Sequence, residues 1–178
     1  MKLQEGGREL EQKVLEALKE KIAEYGDESE IRHVTTSFGE VDILTAYFTR
    51  FGEHLDHVMG EFMFQDKPGD PYGCRYFTAV LTLKEEIPLD NAPELTYALS
   101  ILNFYIDAGC FAVNKPVDHL VYKNARLFSG DTEEAALMQE CILEFEDSVE
   151  TTLKYNTVVQ ALAEGSLGLE QFLSFIIA

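Results

Sequence analysis

The chain has 178 residues, 46% of them hydrophobic and 26% charged, a length that fits one domain with its own core and a composition unlike a disordered or fibrous protein. Thirty-two Asp and Glu against 14 Lys and Arg leave a net charge of −18. Such a surface repels phosphate backbones and anionic lipid, which argues against nucleic-acid and membrane partners, and it attracts cations or a basic protein segment.

The elements follow in chain order. Leu10, Val14, Leu18, Ile22 and Tyr25 recur at spacings of four and three, which predicts an amphipathic helix from about Arg8 to Tyr25. "IRHVTTSF" and "VDILTAYFT" flank Gly39 and read as a hairpin. "LDHVMGEFMF" and "RYFTAVLTL" flank "QDKPGDPYG", a run of turn formers. In the last of these strands Phe77, Ala79, Leu81 and Leu83 alternate with the more mixed Tyr76, Thr78, Val80 and Thr82, so one face meets a core and the other is weakly polar.

A central helix is expected in "DNAPELTYALSILNFYIDAG", capped by Asp90 or Asn91, with Pro93 in its first turn and Gly109 stopping it. Leu95, Leu99, Leu102 and Ile106 form one apolar stripe, and Tyr97, Ile101, Phe104 and Tyr105 form another. A helix this apolar is covered on more than one side, by a terminal helix or a second subunit. "CFAVN" and "HLVYKNARLF" read as two further strands. A long helix follows, capped by Asp131 with Glu134 three residues on, its apolar face running from Met138 through Cys141, Ile142, Phe145, Val149 and Leu153 to Val159. The acid run "CILEFEDSVE" reads as that helix's solvated face. Gly165 ends it, and Phe172 and Phe175 belong to an apolar tail that must pack on the domain or on a partner. The expected fold is α+β, a mainly antiparallel sheet against helices in the order α-β-β-β-β-α-β-β-α-α, as a single domain over 1–178 with an N-terminal helix in 1–30, a core in 31–165 and a tail helix in 166–178.

Chemistry is harder to place. Glu53, His54, Asp56 and His57 are metal-ligand types within five residues and would suit zinc, manganese or iron. His54 and His57 share a face only in a helix, however, and the segment reads as a strand entered after Gly52, where positions three apart point to opposite faces. A small metal-dependent enzyme or metal-binding domain using these four residues is therefore the alternative reading, and neither a metal nor any other cofactor is expected. His33 and His119 stand alone at strand starts, and no catalytic triad can be assembled from sequence distance. No phosphate-cradling glycine motif is present.

Cys74, Cys110 and Cys141 are widely spaced without a CxxC pair, as for free thiols in a reducing compartment. The N-terminus carries no apolar leader and no run reaches membrane-spanning length, so a cytoplasmic protein is expected. Cys110 follows a helix C-terminus, where the dipole disfavours a thiolate, and lies beside Phe111 and Ala112. It reads as a core residue at a corner, with Cys110→Ser expected to lower stability.

"LTYALSILNFYIDAGCFAVN" and the stretch from "HLVYKNARLF" through "TVVQAL" together resemble the type III secretion chaperone-like superfamily, in its bacterial sensory-transduction-regulator branch. The resemblance covers roughly 31–165. It implies a compact, acidic α+β domain without catalytic residues, commonly a homodimer, that works by binding another protein as a chaperone or regulator. Tyr97, Ile101, Phe104, Tyr105, Phe172 and Phe175 are the residues expected at partner or dimer contacts.

Overall fold

The computed structural model describes residues 2–36, 39–52, 56–67, 69–88 and 90–177, with the backbone alone for 2–6 and 36. The elements are α1 (Lys2–Glu24), β1 (Glu28–Thr36), β2 (Gly39–Phe51), β3 (Asp56–Asp66), β4 (Arg75–Lys84), α2 (Ala92–Tyr105), β5 (Cys110–Asn114), β6 (His119–Phe128), α3 (Glu134–Ala163) and α4 (Leu169–Ile177). The fold is α+β in the expected order. The strands form one six-stranded sheet, β1-β2-β3-β4-β6-β5, in which every neighbouring pair is antiparallel.

Directly opposed residues share a face of a sheet, so the register sorts the side chains. Ser29, Ala46, Gly60, Leu81, Tyr122 and Phe111 form one inward row, and Ile31, Leu44, Phe62, Ala79 and Asn124 form the next. These rows are the floor of the core. α1 lays Val14, Leu15, Leu18 and Ile22 on it, all buried. α3 lays Phe145 edge-on to Phe62, with ring centroids 5.0 Å apart. Gly60 is required there, because a Cβ would meet the rings of Phe48 and Phe62 at 2.9 and 3.0 Å. Lys21 of α1 reaches Glu146 of α3 at 2.6 Å. Both helices therefore lie on the same face.

Several local expectations need correction. α2 ends at Tyr105, with Ile106 already extended, so Gly109 does not cap it. Gly109 does adopt φ +69, but its role is close approach: a Cβ would run into the Tyr122 hydroxyl and meet the Lys123 carbonyl oxygen at 2.8 Å. Asn91 is the α2 N-cap residue without a capping hydrogen bond; its Nδ2 donates instead to the Ala163 carbonyl at 3.2 Å, tying α2 to the end of α3. Asp131 accepts from the Ser129 hydroxyl and does not cap α3, which begins at Glu134 after an extended Glu133. Gly165 closes α3 as expected. It takes φ +73, its N–H donates to Leu162 O at 3.1 Å and that of Ser166 to Ala161 O at 3.0 Å, the paired bonds of a Schellman ending. Tyr25 lies past the end of α1 and is exposed, and Leu153 is exposed on α3.

Cys110 is the largest change. Its direct partner is Lys123 of β6, which places it on the face away from the helices, half-buried. The core residue of this corner is Phe111, its ring tilted against that of Tyr122 with centroids 5.1 Å apart. β5 is an edge strand, and an edge exposes unpaired N–H and C=O groups. α2 blocks it with Asn103, whose Oδ1 accepts from the Phe111 N–H at 2.8 Å and whose Nδ2 donates to the Phe111 carbonyl at 2.9 Å.

Two substitutions check this corner by denaturant unfolding. Asn103→Ala leaves both Phe111 groups without their partner and is expected to cost about 1–3 kcal/mol. Cys110→Ser, on the outer face, is expected to change stability by less than about 0.5 kcal/mol; a loss of several kcal/mol would return Cys110 to the core.

Candidate interaction surfaces

The face of the sheet opposite the helices has an unusual composition. Three of its rows are Glu28, Tyr47, Met59, Thr82, Val121 and Ala112; Glu30, Thr45, Glu61, Val80, Lys123 and Cys110; and Arg32, Ile43, Met63, Thr78 and Ala125. A one-sided antiparallel sheet normally turns polar residues outward. Here three Glu, one Arg and one Lys are the only charges in these rows. Four of them lie on the β1–β3 side and Lys123 stands apart on β6; Arg32 donates to Thr45 Oγ1 at 2.7 Å and lies 3.7 Å from Glu30 and 3.6 Å from Glu61.

A second apolar surface lies on α2 and α4, which pack together. Tyr97, Phe104 and Tyr105 are 57%, 85% and 50% exposed, and Phe175 is 56% exposed. Ile101 is half-buried. Phe104 and Tyr105 meet edge to face at 5.6 Å. Phe172 must be withdrawn from the expected contact set, because it is fully buried in the chain's own core. It faces inward with Leu173 and Ile176, the positions one and four residues on, while Phe175 faces out. Glu94 of α2 fixes the start of α4 by accepting from the Leu169 N–H at 3.2 Å. The surroundings are acidic: no Lys or Arg occurs between Lys84 and Lys115 or after Lys154.

The sequence-derived metal cluster does not converge where it is described. Glu53 and His54 lie outside the described residues. Asp56 and His57 are adjacent in β3 and so point to opposite faces. Asp56 accepts from Asn156 Nδ2 of α3 at 2.7 Å. His57 is exposed, at a shallow cleft of about 340 Å³ that Tyr47, Met59, Thr82 and Lys84 also line. Among the described residues no group of three or more His, Cys, Asp and Glu is placed to hold a metal ion. His33 pairs with Asp42 across the first hairpin at 2.7 Å, which raises its pKa. Among the described residues no helix is long and apolar enough to cross a membrane.

Sequence reading missed a buried polar seam on α3. Glu144, Ser148, Thr152 and Asn156 recur every four residues, on one side of the helix, and all are buried. The run that contains Glu144 and Ser148 is thus not wholly a solvated face. Ser148 and Thr152 donate back to the carbonyls of Glu144 and Ser148, each at 2.7 Å, and Gln160 donates to Asn156 Oδ1 at 3.0 Å. Asn124 of β6 reaches Ser148 at 3.5 Å. Arg126 pairs with Glu140 and stands 3.9 Å from Glu144. Burial raises the Glu144 pKa, with Arg126 opposing. Burial also pushes the Cys141 thiol up to about 12, followed by the repulsion of Glu144, so Cys141 is an inert core thiol. Every polar group of the seam is satisfied within the chain or paired with a base. That describes a packing device with no open position for a substrate. The signal was the four-residue recurrence of Glu144, Ser148, Thr152 and Asn156 alongside the apolar positions of the helix.

The seam has a pH signature. Folding raises the Glu144 pKa above its ordinary value of 4.5, so the folded chain holds that proton more tightly. Its contribution to stability is therefore present below 4.5 and is lost as pH rises through the folded value. Glu144→Gln is expected to flatten this decline and to leave neutral-pH stability equal or higher, read by thermal melts from acid to neutral pH. A neutral-pH loss above about 1 kcal/mol would mean that pairing with Arg126 outweighs desolvation. No family model matches this chain and no curated protein matches it, so its surfaces stand on their geometry alone.

Proposed function

We propose that this chain is a non-enzymatic protein-binding domain, chaperone- or regulator-like in the manner of the type III secretion chaperone-like superfamily it resembles, acting as an acidic homodimer. One observation carries the reading: α2 holds three aromatic side chains at half exposure or more. Contiguous exposed aromatics rimmed by polar groups are the mark of a protein-recognition surface. The α2 and α4 segments themselves carry acids and no Lys or Arg, which defines the partner's chemistry. It presents apolar side chains flanked by Lys or Arg, which a surface of one sign attracts and orients.

The test is affinity capture from the cell of origin with the wild-type chain and with Tyr97→Asp/Phe104→Asp. Both side chains are largely exposed, so the variant is expected to melt with the wild type. A protein retained by the wild type is expected to be lost with the variant and to elute as salt rises. Equal recovery by both chains would remove α2 from the binding surface, and recovery of no specific protein by either would contradict the binding role.

A further inference from the structure

We propose that the sheet face opposite the helices is the self-association surface of this protein, closing on a second copy as a face-to-face sandwich about a two-fold axis parallel to the strands. The inference rests on the dimer proposed above and assigns its interface.

Four observations carry it. First, none of the described helices covers the face: α1 and α3 lie on the other side, α2 packs on β5, α3 and α4, and α4 packs on α2 and α3. Second, its composition is that of an interface centre: Tyr47, Met59, Met63, Val80 and Val121 lie within it, and Arg32 sits at its side. Aromatic residues, Met and Arg are enriched at such centres and most charges are depleted. Third, the face is almost neutral in a chain of net charge −18. Three Glu stand against one Arg and one Lys in its rows. A basic partner recruited by the bulk charge finds its match on α2 and α4, not here, whereas a second copy meets no repulsion on this face.

Fourth, the charges are self-complementary under one symmetry operation. The central row reads Glu30, Thr45, Glu61, Val80, Lys123, Cys110 from β1 to β5. A two-fold axis along the strands reverses this row over itself. Lys123 of one copy then lies above Thr45 of the other, flanked by Glu30 and Glu61. Among the described residues those two acids share one base of their own chain, Arg32; the second copy supplies another. A two-fold axis across the strands would instead set Glu30 over Glu30 and Lys123 over Lys123. Aligned sheets pack about 10 Å apart with interdigitating side chains, and the same patch on both copies makes a closed, isologous pair.

The experiment is light scattering over a micromolar concentration series, with carbodiimide coupling of amines to carboxylates. The wild type is expected to be a dimer. Val80→Glu, at the centre of the face, is expected to raise the dissociation constant at least about tenfold, while Phe104→Glu on α2 leaves it unchanged. Lys123→Glu is expected to weaken the dimer, and adding Glu30→Lys to restore it; this pair keeps the test open if Val80→Glu folds poorly. Mass spectrometry of the coupled wild type is expected to find Lys123 joined to Glu30. Within one chain these lie four strand spacings apart, about 19 Å, beyond the reach of such a bond. A dimer that survives Val80→Glu and Lys123→Glu overturns this interface and leaves the dimer itself standing. A monomeric wild type overturns both, and leaves the α2 surface to be judged by its own capture test.

Discussion

The molecule depends on one constraint: a six-stranded antiparallel sheet whose helical cover lies on a single face. The burial of that inner face supplies the core. Phe62, Phe77, Phe111 and Tyr122 are all fully or almost fully removed from water, and each large side chain so buried is worth about 1.5–3 kcal/mol before entropy is counted. α1 and α3 occupy the area above the floor. α2 is left at the side, against β5, where it plugs the strand's free edge through Asn103 and offers its aromatic stripe to solvent. The two surfaces that remain, α2 with α4 and the outer sheet face, are thus consequences of how few helices the chain has for the sheet it builds.

The polar seam of α3 belongs to the same constraint. A 30-residue helix spans about 45 Å and has to follow a twisted sheet along its length. Small polar residues at Ser148 and Thr152 let the backbone sit close, and their hydroxyls bond back to carbonyls of their own helix, so no buried donor is orphaned. The ends of the seam are pinned to the sheet by Arg126 at one end and by Asp56 with Asn156 at the other. A satisfied polar row of this kind fixes the position of the helix more narrowly than a row of leucines would. Deprotonated Glu144 is the one member that costs stability.

Much of this was legible in the sequence because the period of apolar residues is a strong signal. The two hairpins, the alternation in β4, and the Gly165 ending of α3 are local patterns with local causes. The departures arise where tertiary contacts override local chemistry. Asn91 and Asp131 have the right chemistry for caps, yet Asn91 is drawn to Ala163 and Asp131 to Ser129. Gly109 looks like a helix stop, but its lack of a side chain serves Tyr122. Cys110 changed face because the turn after α2 sets where the strand begins, and one residue of offset in a strand exchanges inside for outside. Asp56 and His57 open β3, and their adjacency in sequence separates them in space. Phe172 and Phe175 could not be told apart, since which side of α4 meets the core depends on the anchor at Glu94.

Oxidative footprinting of methionine is the most direct test that the sheet is covered on one side and meets protein on the other. Met59 and Met63 both belong to the outer face, and Met138 packs on α3 against the core. The account predicts that Met59 and Met63 oxidise in dilute, monomeric protein and become protected as concentration rises, while Met138, half-buried like them but on the helical side, oxidises at a rate that does not change with concentration. Protection of Met59 and Met63 that is independent of concentration would mean that the chain covers its own outer face. Ready oxidation at every concentration would mean that the face stays open, and either result would contradict it.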